Sequence, residues 1–327
     1  MGYRYFVFLW ALLLAPMLYG EESFPETVRI PDEYEAAGGH SLGFGHGGAA
    51  ALSGLSALRV NPAMMALESE YVMSTGYHWP SFGREFYQAG VVDSKTSPVA
   101  AGASYTGFMD KLEKEWQKER RVFDSPVTER IGVGFAKVAS KVALGVSGHF
   151  IKALKRTDTE ISMEKGLTLG LGVAGLITKQ IRFGLSAENL NNKPVKDFAP
   201  RVYRAGLAYM ADHGNITAHL DFRRRERVAL FEMEPSPVFF GLKAQPSALT
   251  SKPEDMVIAS FSGRIYNLLR IIGAYGKVIS QGDTRETLSG GLAIVQNHYS
   301  LSYNVSKPYL SESEVHSNLN LNFTLSL

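Results

Sequence analysis

Polar and apolar residues alternate one by one along most of the chain between positions 70 and 327. The alternation is clearest at 299–306 and at 318–327, where every second residue is apolar. Successive side chains of a β-strand point to opposite faces, so this period predicts strands with one apolar and one polar face. Two folds satisfy it: a soluble sandwich with an apolar core, and a membrane barrel with apolar residues outside.

The membrane barrel is favoured by the length and the ends of the strand-like stretches. They run for about ten residues, which is the length that crosses a bilayer at a tilt. Their connections alternate between short and long, as turns and external loops of such barrels do. Aromatic residues recur near the strand ends, as interfacial girdles require: Tyr77, Trp79, Tyr203, Tyr209, Tyr266, Tyr275, Tyr299 and Tyr309. We therefore predict an all-β, antiparallel transmembrane β-barrel over residues 70–327.

The number of strands is ambiguous at one place in the sequence. Candidate stretches add up to fifteen, whereas bacterial single-chain barrels have an even number of strands. The uncertainty lies between positions 226 and 255. Either 238–245 does not span the membrane, or a further strand lies nearby, with 228–233 as the candidate. We predict fourteen strands, with sixteen as the alternative. In this register Leu301, Tyr303, Leu321 and Phe323 face lipid, while Ser302 and Asn320 face the lumen.

Charge and cysteine content exclude several classes of protein. The chain has 34 lysines and arginines against 32 acidic residues, so its net charge of +2 provides no field for binding a nucleic acid. Cysteine is absent, which rules out disulfide scaffolds, thiolate catalysis and cysteine-bound zinc. We predict no cofactor and no nucleic-acid partner.

The first twenty residues have the order of a secretory signal peptide. Arg4 precedes an apolar run at 6–17, and the small residue Gly20 precedes an acidic stretch. An uncleaved anchor is the alternative, but the apolar run is shorter than the roughly 20 residues that span a bilayer. We predict a signal peptide at residues 1–20 and an acidic periplasmic lead at 21–37.

The stretch at 38–67 differs from everything that follows it. It holds six glycines before Ala49, then leucines at every third position, and then Asn61-Pro62-Ala63. The leucine spacing predicts a short helix, which ends before the proline. A barrel of about fourteen strands is too wide to be filled by its own side chains. We therefore predict that 38–67 is a glycine-rich plug inside the lumen.

Twelve residues of this stretch are candidates for plugging or binding. Glycines permit a positive φ and a close approach of the backbone, and Pro62 fixes the exit from the helix. Asn61 can satisfy polar groups of the lumen, and the leucines and methionines can form an apolar patch for a hydrophobic ligand. The candidates are Gly43, Gly45, Gly47, Gly48, Leu52, Leu55, Leu58, Asn61, Pro62, Ala63, Met64 and Met65.

Two other interpretations of the same stretch fail on context. Gly43, Gly45 and Gly48 satisfy G-x-G-x-x-G, but no buried strand precedes them, as a dinucleotide site requires. His40 and His46 are potential metal ligands, but a third ligand is not evident. We predict no metal site.

The residues GFGHGGAAALSGLSALRVNPAMMAL resemble the N-terminal signature of the FadL-like outer-membrane superfamily, which includes fatty-acid and aromatic-hydrocarbon transporters and a PorV/PorQ and UPF0164-like branch. The signature is Gly-x-Gly-Gly-Ala, here at 45–49, followed about a dozen residues later by Asn-Pro-Ala, here at 61–63. Stretches at 183–191, 204–209 and 316–325 are similar as well. The resemblance implies a fourteen-stranded barrel with an N-terminal plug, in which a hydrophobic ligand passes the plug and leaves sideways through the wall.

The resemblance implies an outer-membrane protein that passes or binds small hydrophobic molecules. The long connections are modest for such a transporter, so a PorV-like secretion or assembly accessory without transport is the alternative. A lipid-modifying enzyme is a second alternative, which needs a serine, a histidine and an orienting group held together. No local signature marks such a triad, so we predict no enzyme, although four histidines lie in predicted strands: His149, His219, His298 and His316.

Three kinds of partner follow from this interpretation. They are a hydrophobic small molecule, the barrel-assembly machinery during biogenesis, and outer-membrane lipid with its lipopolysaccharide. A basic patch in the connection at 109–122 is a candidate contact for lipopolysaccharide, with Lys111, Lys114, Lys118, Arg120 and Arg121.

Overall fold

The computed structural model describes residues 27–29, 43–45, 47–80, 85–109, 128–156, 161–192, 195, 199–211, 215–233, 246–265, 268–279, 286–296, 298–308 and 316–325. The predicted signal peptide, His40, His46 and the basic patch of the 109–122 connection lie outside these residues. Among the residues described, no helix is long and apolar enough to cross a membrane.

Most of the described chain is β-strand. The strands are β1 (Thr27–Arg29), β2 (Tyr71–Pro80), β3 (Glu85–Asp93), β4 (Ala100–Met109), β5 (Thr128–Ala139), β6 (Val142–Arg156), β7 (Ile161–Leu176), β8 (Ile181–Glu188), β9 (Val202–Ala211), β10 (Ile216–Met233), β11 (Pro246–Ile265), β12 (Leu269–Val278), β13 (Glu286–Val295), β14 (Tyr299–Pro308) and β15 (His316–Leu325). Two short helical elements precede β2: the α-helix α1 (Gly54–Val60) and a 3-10 helix (Pro62–Ala66).

Strands β2 to β15 form a closed antiparallel ring. Each strand pairs with the next along the chain, and β15 returns to pair with β2. Closure leaves no free edge in the ring, as a structure that spans a bilayer requires. Within the described residues the ring contains fourteen strands, which confirms the predicted antiparallel barrel and its strand number.

The ambiguity in the strand count is resolved by the length of β10. This strand runs without interruption for 18 residues, so the stretch 228–233 is its continuation and not a hidden strand. Its pairing with β11 shifts between Arg225 and Val228. The other uncertain stretch, 238–245, lies outside the described residues.

The faces of the strands are distributed as in a membrane barrel. Leu301 and Phe323 are 39% and 47% exposed on the outside, whereas Ser302 is fully buried. Tyr303 and Leu321 share the outward face and are partly exposed. Apolar side chains thus cover the outer surface and polar ones line the interior, which is opposite to a soluble sandwich. The side chain of Asn320 is not among those described.

The two ends of the barrel differ in their connections. At one end, which we call the short-turn end, β5 and β6 are joined by two residues, and β7 and β8 by four. The opposite end, which we call the long-loop end, carries connections such as 110–127. β1 pairs there with β10, since Arg29 lies opposite Leu230, beyond the residues that pair with β9. The periplasmic location of the lead at 21–37 stays a prediction.

Candidate functional site: the lumenal segment

Residues 43–45 and 47–67 lie inside the ring, and we call them the lumenal segment. Its helix α1 contacts β2 to β5 and β8, and its 3-10 helix contacts β4 to β7. At the start of the segment, Gly43 lies against Asn304 of β14 and Ile272 of β12. Contacts with opposite sides of the ring are possible only from within it.

A carboxylate on the wall holds the first turn of the segment. Asp221 in β10 accepts the Gly48 N–H and the Ala49 N–H, each at 2.9 Å, one with each of its oxygens. Gly48 has a φ of 99°, a region that residues with a Cβ rarely adopt, and this turns both N–H groups toward the wall. Because Asp221 is almost fully buried, these charge-assisted bonds form away from water and are strong.

Asp221 belongs to a small polar network in the wall. The Nδ1 atom of His219 lies 3.2 Å from the Asp221 carboxylate, and the Ser260 hydroxyl lies 2.9 Å from the same nitrogen. The ring of Phe44 covers His219, with the ring centroids 4.6 Å apart.

This serine, histidine and aspartate set does not have the geometry of a catalytic triad. In a triad the serine and the carboxylate bind different nitrogens of the ring. Here the Ser260 hydroxyl lies nearer to Nδ1, at 2.9 Å, than to Nε2, at 3.2 Å, and the carboxylate also lies at Nδ1. The carboxylate oxygens are also engaged by the backbone of the lumenal segment. The arrangement therefore serves to dock the segment on β10 and β11.

Asn61 ties the segment together and to the wall. Its side-chain amide donates to the Ala49 carbonyl at 2.8 Å and to the Val173 carbonyl of β7 at 3.2 Å. Its side-chain oxygen accepts the Ala63 N–H at 3.2 Å, at the start of the 3-10 helix. One buried carboxamide thus joins the first turn, the 3-10 helix and a wall strand.

Glycines in the wall make room for this close approach. A Cβ at Gly172 would collide with the Asn61 carboxamide, and one at Gly145 with the backbone of Pro62 and Ala63. A Cβ at Gly184 in β8 would collide with the Ala49 carbonyl. The inward face of the barrel is therefore shaped to the backbone of the lumenal segment.

The predicted apolar patch is divided between two places. Leu55, Leu58, Ala63, Met64 and Met65 pack against inward alanines and a valine of β3 to β7. Leu52 belongs to a separate cluster with Phe44, Val60 and Ile272. Most of these side chains are fully buried between the segment and the wall, so they act as packing contacts and do not present one surface to a ligand.

Five buried arginines lie toward the long-loop end, and we call them the arginine cluster: Arg59, Arg130, Arg204, Arg223 and Arg225. Ion pairs join the cluster to carboxylates of the wall. Arg204 pairs with Glu188 at 2.7 Å, and Arg223 and Arg225 pair with Glu254 at 3.1 and 3.7 Å.

The cluster also holds the end of α1. The last carbonyls of a helix lack partners within the helix. Here the Val60 carbonyl accepts the Ser186 hydroxyl at 2.7 Å and Arg204 Nη1 at 3.4 Å. Arg59 lies in the last turn of the same helix.

A cavity of about 330 Å³ lies at the short-turn end, between the lumenal segment and the wall. Its lining is mainly polar and includes Glu68, Glu70, Arg270, Ser262 and Ser300. A cavity of this size with many hydroxyl and charged groups suits water better than an apolar ligand.

The acidic edge of this cavity contacts the start of α1. Glu70 accepts hydrogen bonds from the Ser53 hydroxyl and the Gly54 N–H, while Arg182 pairs with Glu68 at 2.8 Å. Burial, and then the nearby charge of Glu68, raise the pKa of Glu70 from 4.5 to about 7. Glu70 lies just before β2, so this titrating contact joins the rim of the barrel to the helix.

The structure thus brings most of the sequence candidates together, and it adds residues that sequence reasoning missed. Asp221, the arginine cluster and Glu70 were not predicted. The available signal was the run of charged residues at inward positions of β10, since Asp221, Arg223 and Arg225 alternate with outward residues. No group of three or more histidine, aspartate or glutamate side chains suited to a metal occurs within the described residues.

No protein-family model matches the sequence, and no curated protein matches it either. Solved structures are similar. The toluene transporter TbuX of Ralstonia pickettii superposes with a TM-score of 0.57 at 14% identity, over 88% of this chain and 97% of that one. This chain has the FadL-like barrel fold. A Pseudomonas aeruginosa FadL homologue agrees, with a TM-score of 0.54 at 10% identity over 90% of this chain and 98% of that one. At such identities the likeness of the FadL-like barrel to these proteins is a likeness of fold.

Proposed function

We propose that this FadL-like barrel resides in the outer membrane and binds or passes small hydrophobic molecules, with the lumenal segment as its plug. The observation that carries the proposal is the docking of the segment on opposite sides of the ring. Asp221 holds it on β10, Gly43 lies against β12 and β14, and the two helical elements contact β2 to β7 across the ring. The apolar outer surface supports a location in a membrane, and the shared fold with a toluene transporter supports a hydrophobic cargo.

The same contacts indicate how such a barrel works. The apolar side chains of the segment are buried against the wall, and the cavity at the short-turn end is polar. A hydrophobic molecule therefore needs the segment to shift before it finds an apolar path. Besides this apolar packing, the segment is held by a few buried polar bonds, which can break and form again without unfolding the ring.

The test is single-channel conductance in planar bilayers for the full protein and for a variant that lacks residues 43–67. We expect a silent or weakly conducting barrel to become an open one on deletion. Heat-modifiable migration on a gel checks that the deleted protein still forms a barrel. If deletion prevents folding, Asn61→Ala, which removes the bonds to Ala49, Ala63 and Val173, provides a milder opening.

Transport is tested separately, with toluene as the probe, in cells that produce the protein and in cells that do not. Faster toluene uptake with the intact protein than with an inactive control barrel supports passage of hydrophobic molecules. Equal uptake, together with a stable complex with a periplasmic or surface protein, would favour the accessory function. Hydrolysis of an added ester or phospholipid would favour the enzymatic one.

A further inference from the structure

Arg270 of β12 is partly buried and lines the cavity at the short-turn end, which we call the short-turn cavity. Within the described part of the chain Arg270 forms no ion pair, and its buried Nε atom has no hydrogen-bond partner. A charge that is removed from water is costly unless a group of opposite charge compensates it. The guanidinium of Arg270 is therefore available to a ligand that carries an anionic group.

A second guanidinium reinforces the positive charge at this place. Arg264 of β11 is directly opposite Arg270, and both residues are on the inward face of the wall. Like charges at directly opposite positions of two strands repel each other. An anionic group at Arg270 would offset that repulsion, and a guanidinium binds a carboxylate through two parallel, charge-assisted hydrogen bonds.

Two carboxylates line the same cavity. Glu68 pairs with Arg182 at 2.8 Å, and Glu70 accepts hydrogen bonds from the start of α1, so both carboxylates are held in place. The charge of Glu68 acts on Glu70 and on Arg270 alike, so the acidic and basic groups lie within electrostatic range of one another. The short-turn cavity thus offers groups of both signs.

We propose that the short-turn cavity binds a small zwitterion of the α-amino-acid type, with the carboxylate of the ligand on Arg270 and its ammonium group on Glu70. The two carboxylates of the cavity would repel a purely anionic ligand, and Arg270 would repel a purely cationic one. The cavity volume of about 330 Å³ is at the lower end of the roughly 300–1,000 Å³ of ligand pockets, so the ligand is small.

The rest of the lining indicates the side chain of the ligand and the effect of its binding. Phe44, Leu52 and Val72 add apolar surface to the cavity, which suits an amino acid with an aliphatic side chain. Residues 51–56 of the lumenal segment line the cavity, whereas Arg270 belongs to the wall. A bound amino acid therefore joins the segment to the wall and stabilises the docked state. The proposal does not depend on whether a hydrophobic molecule passes the barrel.

Isothermal titration calorimetry of the full, folded protein in detergent tests the site, with L-leucine as the probe. We expect saturable binding of L-leucine. Two analogues should bind about tenfold more weakly or worse, because each leaves one charged group of the cavity without its partner. They are 4-methylpentanoate, which lacks the ammonium group, and 3-methylbutylamine, which lacks the carboxylate.

Two arginine variants locate the binding. Arg270→Gln should weaken binding of L-leucine by about tenfold or more, because it removes the partner of the carboxylate. Arg224→Gln is the matched control and should leave the affinity unchanged, because Arg224 is exposed on the outer face, where it pairs with Asp255. Heat-modifiable migration confirms that each variant is folded.

The pH dependence of binding checks the contact with Glu70 and can be measured on the unchanged protein. Burial, and then the charge of Glu68, raise the pKa of Glu70 to about 7. The charged and hydrogen-bonding groups around Glu70 and Glu68 are Ser53, Gly54, Arg182 and Arg270. An ammonium group favours the ionised carboxylate, so the affinity should rise about tenfold or more from pH 5.5 to pH 8. Glu70→Gln should bind weakly at both values.

Four results would overturn the proposal. The first is no saturable binding of L-leucine, and the second is equal binding of L-leucine and 4-methylpentanoate, which would mean that the carboxylate alone is recognised. The third is an affinity that Arg270→Gln leaves unchanged, which would place the leucine elsewhere. The fourth is an affinity that does not change between pH 5.5 and pH 8.

Discussion

The Asp221 carboxylate on strand β10 accepts the backbone N–H of Gly48 at 2.9 Å, across 173 positions of sequence. The other carboxylate oxygen accepts the next N–H, that of Ala49, so one buried side chain fixes the orientation of the turn that begins the lumenal segment. A barrel strand and the segment inside it are thereby joined by bonds that solvent does not screen.

Asp221→Asn should loosen this turn. An asparagine side chain has one acceptor oxygen, so one backbone N–H would face an NH2 group instead of an oxygen. We expect a loss of about 2–3 kcal/mol in docking of the segment, observed as transient conducting events in single-channel recordings. Asp255→Asn is the control, because Asp255 pairs at 3.8 Å with Arg224, which is exposed. Recordings that are alike for all three proteins would show that the carboxylate does not hold the segment.

Gly184→Ala should displace the lumenal segment from β8. The new methyl group would collide with the Ala49 carbonyl, which is backbone and cannot turn aside. Overpacking of this kind costs about 1–3 kcal/mol, so we expect a lower midpoint in the gel-based heat-unfolding assay and more frequent conductance. Gly273→Ala is the matched control, because nothing lies within 4 Å of its new methyl group. If the two variants behave alike, the inward glycines are not required for docking.

Leu220→Lys tests which face of the wall meets lipid. Leu220 is 55% exposed on the outer face near the middle of the membrane-spanning part of β10. A lysine there should lower the free energy of unfolding by about 2–4 kcal/mol, measured by urea titration in lipid vesicles. Ile279→Lys, just beyond β12 at the long-loop end, should cost about 1 kcal/mol or less, because it lies near the interface. Equal costs at both depths would argue against a bilayer around this surface.

Glu70 should make the stability of the protein depend on pH. Its pKa is raised from 4.5 to about 7 in the folded protein, chiefly by burial and then by Glu68, while Arg270 lines the same cavity. The folded state thus binds the proton more tightly than the unfolded one. The contribution of Glu70 is fully present below pH 4.5 and is lost as the pH rises through about 7.

Unfolding midpoints at pH 5 and pH 8 measure this effect. Between pH 5 and pH 8, the free energy of unfolding of the unchanged protein should fall by about 1–3 kcal/mol more than that of Glu70→Gln, since the amide carries no charge at either pH. Glu226→Gln is the control, because Glu226 is exposed and pairs with Arg201 at 3.6 Å. An identical pH dependence in the unchanged protein and in Glu70→Gln would refute the assignment.

Lysine at Ser302 shows how the structure changes a simple expectation from the strand pattern. The alternation alone suggests that a lumen-facing lysine is tolerated, because a wide lumen offers water. Ser302 is fully buried, however, and its hydroxyl lies 3.4 Å from the amide of Asn304, the residue that contacts Gly43. The interior is packed at this position, so a lysine has to displace its neighbours, Asn304 among them.

The sequence by itself determined the features that depend on neighbouring positions. The period of two sets which side chains of a strand share a face, so it predicted that Leu301 would point outward and Ser302 inward. The leucine spacing and Pro62 predicted a short helix that ends before the proline, and α1 ends at Val60, with Asn61 as its cap. These are local rules of backbone geometry, and they act over a few residues.

Only the tertiary structure decided how the distant parts meet. Val228–Met233 became a continuation of β10 because its partners in β11 continue beside it, and not because of its own pattern. The bonds of Asp221 to Gly48 and Ala49, and the fit of Gly184 to Ala49, depend on the register set when fourteen strands close into a ring. A shift of one residue would turn Asp221 toward lipid, so its function as an anchor follows from closure and not from its neighbours in sequence.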